Sequence, residues 1–346
     1  NIAWEHYQAY GDKKILEAVY ETGKKWLGFL NTYTSDGMLT PYAGGGYFLG
    51  EWVSPGPIFE YGETPQALFF NNCVYVMALA YFIKISESLG HGNETAPYRE
   101  TLAILRSKTH KKYFNPSVNS YLDGDQVRTA FALYAGIVPG ELQKSVLEHL
   151  EKDMTGEHPY FNIGSFSRYP YYHVLFAHPQ FQEIISGILS KTTYPSYGYF
   201  LSNGETTWPE TWEINHPNCA IIHTSYAGIS AWLIKKLAGI EPESENPGYR
   251  TINIRPTVVQ KLTYAKAGLE SPYGLIESAW HKENDKVVYD FSIPIGSKAN
   301  IYFQAKLAEI TENGLPLAES NGIKVIEEKG DGTLIQVEAG KYRFFQ

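Results

Sequence analysis

The spacing of apolar residues changes once along this chain, at Gly239, and that change limits the folds open to it. Before Gly239 the apolar residues recur at helical intervals. Ile15, Leu16, Val19, Tyr20, Gly23, Trp26, Leu27 and Leu30 keep one face apolar after a capping-type Asp12. A second helix is predicted from Thr64-Pro65, an N-cap followed by a first-turn proline, to a stop at Gly90. Its centre, residues 73–85, is apolar nearly all round, so it is expected to be an inner helix covered on all sides. Further helical stretches are predicted over 97–111, 126–135, 141–154, 168–176, 179–190 and 224–237, the last closed by Gly239. Beyond it, Pro242, Pro247 and Gly248 mark a boundary and the period shortens to two. Runs 251–255, 286–292 and 299–303 alternate, separated by turn residues such as Gly274, Asn284, Gly296, Gly314, Gly322 and Gly332. The expectation is a mainly α region over residues 1–245 and a small antiparallel β-sandwich over 246–346.

Composition narrows the function classes. With 43% hydrophobic and 19% charged residues the chain reads as globular, and no apolar run long enough to span a bilayer is expected. A formal charge of −8 with no basic cluster argues against a nucleic-acid partner. Cys73, in an apolar helical run, is expected to be a buried thiol, and Cys219 carries little information. Gly44-Gly45-Gly46 lacks the Lys-Ser/Thr of a phosphate loop. Zinc spacings, His-x-x-x-His pairs and dinucleotide fingerprints are absent, so no cofactor or metal is expected, with calcium on loop oxygens left open.

The chemistry concentrates in one stretch. Tyr194-Pro195-Ser196-Tyr197-Gly198-Tyr199-Phe200 leads to Gly204-Glu205-Thr206-Thr207-Trp208-Pro209-Glu210-Thr211-Trp212-Glu213. Aromatics are 15% of the chain, with 27 Tyr and 7 Trp, and here they alternate with acids that are rarely buried unpaired. A saccharide cleft suits such a loop, with rings packing on the apolar face of a pyranose and a carboxylate held against it. The plain alternative is that the tryptophans pack the end of a helical barrel while Glu210 caps a helix.

This order of segments, ending in Leu237-Ala238-Gly239-Ile240, resembles the family 78 α-L-rhamnosidases. Trp4-x-x-Tyr7-x-x-Tyr10-Gly11-Asp12 is similar to a segment opening a barrel helix of that family, and Gly50-Glu51-Trp52 stands where it shows Gly-Asp-Trp. Gln126, then Phe131 to Pro139, matches a further helix and its exit, and Ile254-x-Pro256 with Gly274 to Trp280 is similar to its C-terminal sandwich. The resemblance implies an (α/α)6 six-hairpin toroid, incomplete in this chain, and an inverting hydrolysis by two carboxylates spaced to admit a water. The family's Thr-Thr-x-Trp-Glu-x-Trp motif, laid on residues 206–212, makes Glu210 the general base. Pro209 stands where the family has Trp, and Trp208 lies one place earlier. Glu213 is the rival carboxylate and Glu205 a distant third. The same resemblance makes Glu51, Trp52, Trp208, Trp212 and His223 substrate-binding residues. His223 keeps the family's nine-residue spacing to Trp232, although Ile222 replaces the usual Asn, and His216 is an alternative lining residue.

The family's upstream general-acid segment, Asp-x-x-x-x-Asp-Glu-Arg-x-Gly-Trp, has no counterpart here. The missing N-terminal part of the same protein is therefore expected to supply the acid, and the chain is not expected to hydrolyse rhamnosides alone. The implied partner is a carbohydrate with terminal rhamnose, with no membrane or nucleic acid, in a periplasmic or extracellular rather than cytoplasmic setting. Two other readings stay open. One is another (α/α)6 enzyme, an unsaturated glucuronyl hydrolase using Asp123 or Asp125, or a polysaccharide lyase using a tyrosine. The other is a non-catalytic carbohydrate-binding homologue.

Overall fold

The computed structural model describes residues 1–41, 48–56, 58–330 and 332–346, so Gly44, Gly45 and Gly46 lie outside the described residues. The chain divides into two compact units, one of residues 17–228 and one of residues 1–16 together with 229–346.

The first unit is built from helical hairpins. The longer helices, in chain order, are α1 (Ile2–Tyr10, in the other unit), α2 (Lys14–Thr32), α3 (Pro65–Ser88), α4 (Ala96–Tyr113), α5 (Gln126–Tyr134), α6 (Gln143–Thr155), α7 (Arg168–Ala177) and α8 (Phe181–Leu189), followed by a six-residue helix at Tyr197–Ser202. The pairs α3–α4, α5–α6 and α7–α8 pack as hairpins. Within this row α3 touches α5 and α5 touches α7, while α6 touches α8. The sequence explains the layering. Buried residues of α5 run without a break from Gln126 to Ala132, whereas α6 buries only Val146, Leu150 and Met154 at helical spacing.

Helix starts and stops follow the expected chemistry. The Thr64 hydroxyl accepts the Ala67 N–H ahead of Pro65. Asp125 caps α5 through the Arg128 N–H at 2.8 Å. Gly90 takes φ 86°, a left-handed turn that an L side chain resists.

Two expectations for α3 need correction. The helix has the length and mean hydropathy, 1.5, of a membrane-crossing segment, contrary to the expectation that none exists. Phe69, Cys73, Tyr75, Val76, Leu79 and Phe82 are nevertheless buried in protein, as in a core helix. Nor is it covered on all sides. Val74 is 42% exposed, and with Trp26, Phe29 and Tyr33 it lines an apolar groove.

The second unit is a sandwich of two sheets. One runs Leu315–Pro316, Thr311–Glu312, Gly340–Phe345, Lys286–Ile293, Gly274–Glu283, Tyr264–Ser271; the other runs Ile323–Lys329, Gly332–Val337, Lys298–Phe303, Thr251–Ile254, Ile240–Pro242. Inward residues of both sheets, among them Ile252, Trp280, Phe291, Ile301, Ile335 and Phe344, share one core. The expected all-antiparallel sandwich has an exception, because Lys298–Phe303 pairs in parallel with Thr251–Ile254.

The boundary also falls earlier than residue 245. Ile240–Pro242 is already a strand of the second sheet, Trp280 Nε1 donates to the Leu237 carbonyl at 2.8 Å and Ser278 to that of Ala238 at 2.5 Å. These bonds draw the segment after Gly228 into the β unit. Residues 224–237, expected as one helix, are a 3-10 turn, a short α segment and a π turn at Leu233–Leu237. Gly228 and Ser230 there are weak helix formers.

One buried side chain ties the hairpins to their connecting loop. Gln126 Nε2 donates to Asp153 Oδ2 at 2.8 Å and to the carbonyls of His158 and Tyr160 at 3.0 and 3.1 Å. Its Oε1 accepts the Asn162 N–H at 3.1 Å and the Tyr171 hydroxyl at 2.6 Å. Gln126→Leu strands those buried groups together, so a loss of about 3 kcal/mol is expected. Urea denaturation should show a lower midpoint at unchanged slope.

Candidate active site

The N-terminal ends of α3, α5 and α7 meet a β-hairpin whose strands are Leu49–Ser54 and Ile58–Tyr61. Asn71 Nδ2, in the second turn of α3, donates to the Leu49 carbonyl at 2.7 Å. Arg128, in the first turn of α5, pairs with Glu60 and with Asp125. Before α7, the Ser165 N–H reaches the Trp52 carbonyl at 2.6 Å. The hairpin thereby presents Trp52, edge-on to Phe59 with ring centroids 4.6 Å apart and 6.4 Å from Phe166. Phe59 is in turn 6.4 Å from the His216 ring.

The acid-bearing loop is folded by its own backbone. His223 N–H donates to the Trp208 carbonyl at 2.7 Å, and Glu210 N–H to the Ala220 carbonyl at 2.8 Å. The Thr207 hydroxyl donates to the Ile221 carbonyl at 2.9 Å. Residues 207–210 and 220–223 thus lie side by side, bringing Trp208, Glu210 and His223 together. Glu210 Oε2 accepts the Ala220 N–H at 3.0 Å, a fixed contact on one oxygen.

Glu213 is engaged differently. Its Oε1 accepts the Tyr194 hydroxyl and, at 2.9 Å, the Gly56 N–H, while its Oε2 accepts the Thr211 hydroxyl. That carboxylate clasps the hairpin tip at Gly56 to the loop. The Cys219 thiol lies near both acids, and burial, then Glu210 and Glu213, push it up. Glu205 is half-buried, with its N–H on the Phe200 carbonyl at 3.0 Å.

Trp212 forms a floor rather than a surface. It is fully buried, its Nε1 donates to the Ile163 carbonyl at 2.7 Å, and it stacks on Phe200 at 5.6 Å. Tyr226 lies 4.3 Å from it. Glu51 is also inside, 1% exposed, with Oε1 accepting the N–H groups of Trp52 at 3.0 Å and Phe166 at 3.2 Å. Its Oε2 is buried as well, with no hydrogen-bond partner among the described residues. Burial raises its carboxyl above the usual range, opposed by the neighbouring Ser167 hydroxyl, the Trp52 N–H, Arg168 and Arg128. Burial also lowers Arg168, against the pull of Tyr226, Tyr172, Tyr197 and Glu51.

The structure therefore gathers Trp208, Glu210 and His223, sets Trp52 on the facing hairpin, and turns Glu51 and Trp212 inward. Sequence reasoning missed Phe59, Phe166, Arg168 and Tyr226, while Tyr194 lay in the aromatic stretch it singled out. Arg168 carried a usable signal, because a cation in the first turn of a helix opposes the dipole and calls for a carboxylate nearby. Asp125, considered as a proton donor, is occupied as helix cap and Arg128 partner. Asp153, Glu157 and His158 place potential metal-ligand atoms within 4.8 Å of one another, but Asp153 already accepts from Gln126 and pairs with His158. Both cysteines are free, Cys73 buried as expected.

Residues 1–237 match the bacterial alpha-L-rhamnosidase six-hairpin glycosidase domain, and residues 239–313 match the bacterial alpha-L-rhamnosidase C-terminal domain. Among curated relatives, an alpha-L-rhamnosidase of Streptomyces avermitilis is 25% identical over 99% of this chain and 32% of its own length. One of Formosa agariphila is 26% identical over 99% of this chain and 36% of its own. The solved alpha-L-rhamnosidase from Dictyoglumus thermophilum superposes with a TM-score of 0.87 at 26% identity, over 99% of this chain and 38% of that one. The Streptomyces avermitilis enzyme complexed with L-rhamnose has the same fold, with a TM-score of 0.85 at 21% identity over 100% and 32% of the two chains. The chain spans about a third of the length of these relatives. Its hairpin row, its sandwich and the match over most of its length show that it belongs to the bacterial alpha-L-rhamnosidase family.

Proposed function

We propose that this chain is the base-bearing part of an inverting α-L-rhamnosidase that removes terminal rhamnose from a glycan or glycoside. The observation that carries the reading is the pairing of residues 207–210 with 220–223, which fixes one Glu210 oxygen on the Ala220 N–H. The other oxygen is left to accept a proton from water as that water attacks the anomeric carbon. The glycosidic oxygen leaves with a proton from a general acid, and the sugar inverts. That acid is assigned to the part of the protein preceding these residues, consistent with relatives about three times as long. Trp208 and Trp52 supply apolar faces for the sugar, His223 a hydroxyl contact or support for Glu210, and Trp212 the floor below. The reaction uses no redox cofactor.

Glu210 is preferred over Glu213 because the latter's two oxygens are already held by Tyr194, Gly56 and Thr211. In the intact protein, Glu210→Gln should lower turnover of an aryl α-L-rhamnoside by roughly 10²–10⁴-fold, the usual weight of a general base. The first sugar released by the wild type, followed by NMR, should be the β-anomer. Retention of configuration, or full turnover by the variant, would sink this reading.

A second expectation concerns the hairpin. A Cβ on Gly164 would lie 2.1 Å from the Trp52 carbonyl oxygen and 2.7 Å from the Ser54 nitrogen, both backbone atoms. Gly164→Ala should therefore push the Trp52 strand outward at a cost of about 1–3 kcal/mol. Thermal melting should report the loss, and L-rhamnose titration a weaker affinity.

A further inference from the structure

Among the described residues, four buried side-chain atoms without a hydrogen-bond partner belong to neighbouring groups: Glu51 Oε2, Ser167 Oγ, Arg168 Nη1 and Tyr226 Oη. All four residues are more than nine-tenths buried, with exposures of 1%, 0%, 4% and 0%. Unpaired buried polar atoms cost stability, and a buried charge pair with incomplete hydrogen bonding costs more. The backbone beside them is strained as well. Val53, fully buried and β-branched, takes φ 58°, a left-handed value that such residues rarely adopt. A fold shaped by stability alone would fill this place with apolar side chains and a relaxed strand. Local rules broken together in one spot point to a use for the spot.

The contacts of the cluster show what it joins. On one side, Glu51 Oε1 accepts the N–H groups of Trp52 and Phe166, and the Glu51 N–H rests on Glu60 Oε2 at 3.0 Å. On the other, the Arg168 guanidinium lies 4.0 Å over the Tyr226 ring, itself 4.3 Å from the Trp212 indole. Arg168 is anchored through Nε to the Gly164 carbonyl at 2.7 Å and through Nη2 to the Ser165 hydroxyl at 2.8 Å. Tyr226 is held at its carbonyl by the Tyr197 hydroxyl at 2.8 Å, and Tyr197 bonds the Tyr172 hydroxyl at 2.8 Å. We propose that Glu51 and Arg168 are positioning residues, two buried opposite charges that hold the hairpin carrying Trp52 in register with the Trp212 floor: Glu51 through the Trp52 and Phe166 N–H groups, and Arg168 through Gly164, Ser165 and the Tyr226 ring. Neither touches the sugar. Charge holds the two walls in one relation where apolar contacts would let them slide.

The test uses the intact protein labelled with 5-fluorotryptophan, its Trp52 and Trp212 fluorine resonances assigned with Trp52→Phe and Trp212→Phe. The double variant Glu51→Leu/Arg168→Met replaces the pair with apolar side chains of similar reach. Its melting temperature should fall, because the N–H groups of Trp52 and Phe166 and the Gly164 carbonyl lose their partners, while unfolding stays cooperative. Both resonances should move, and L-rhamnose affinity should fall at least tenfold. The affinity arm rests on the reading of Glu210 as the base at a rhamnose site, while the fluorine arm does not. A wild-type protein that binds no L-rhamnose overturns that reading and leaves the resonances to decide the present one. Unmoved resonances in a folded double variant overturn the proposal. So does lost affinity with the Trp212 resonance in place, which would make Glu51 a direct sugar contact. If the double variant does not fold, Glu51→Gln decides, with both resonances expected to move in the native protein.

Discussion

The Arg128 guanidinium is the contact on which the candidate site depends. It is buried between Glu60 on the hairpin and Asp125 at the cap of α5, and Glu60 also receives the Glu51 N–H. Burying a cation is costly unless its partners are well placed, and removing one partner of such a set costs far more than the set adds to stability. The arrangement therefore acts as a constraint more than as a source of stability. It fixes the hairpin to the start of one inner helix, and the position of Trp52 follows from it. Gly50 has room for no side chain in this fit, since a Cβ there would lie 2.7 Å from the Glu60 Cβ.

Periodicity revealed what depends on repetition and missed what depends on single contacts. The helices α2 to α8 and the switch to strands after Gly239 were legible because many residues vote for each. The first helix, Ile2–Tyr10, was not read from periodicity, because among its nine residues only Tyr7 is buried. Residues 224–237 looked helical by apolar spacing, yet they break into a 3-10 turn, a short α segment and a π turn, and the carbonyls at their end, Leu237 and Ala238, bond into the sandwich. The domain boundary moved for the same reason. Within the site, Glu210 and its neighbours were legible as a run of acids and tryptophans. Phe166 and Tyr226 were not, because each joins the candidate site only through a ring distant in sequence, Trp52 and Trp212 respectively.

Three glutamates near this loop show how environment divides one side-chain type into separate tasks. Glu213 is consumed by hydroxyl and amide donors and becomes a clasp. Glu51 is drawn inside, where burial raises its carboxyl and Arg168 becomes its counter-charge. Glu210, partly exposed, meets one backbone donor and keeps capacity to accept a proton. All three lie where sequence analysis placed acids, but only their partners separate them. An acid held at both oxygens is poorly suited to accept a proton, and one cut off from solvent cannot meet a water. Accessibility and a half-filled set of hydrogen bonds are what single out Glu210.

The direction of the inner helices accounts for why acids collect at this end. The start of each of α3, α5 and α7 faces the hairpin, and helix N-termini carry unsatisfied N–H groups and a partial positive charge. Carboxylates are welcome there: Asp125 caps α5, and Glu51 takes the Phe166 N–H just ahead of α7. The same field disfavours a cation, yet Arg168 occupies the first turn of α7. It is tolerated because Glu51 lies beside it and the Tyr226 ring offers its electron-rich face. The helix ends thus favour acids, and two cations placed against their field, Arg128 in the first turn of α5 and Arg168 in that of α7, each lie beside carboxylates and tie a helix start to the hairpin.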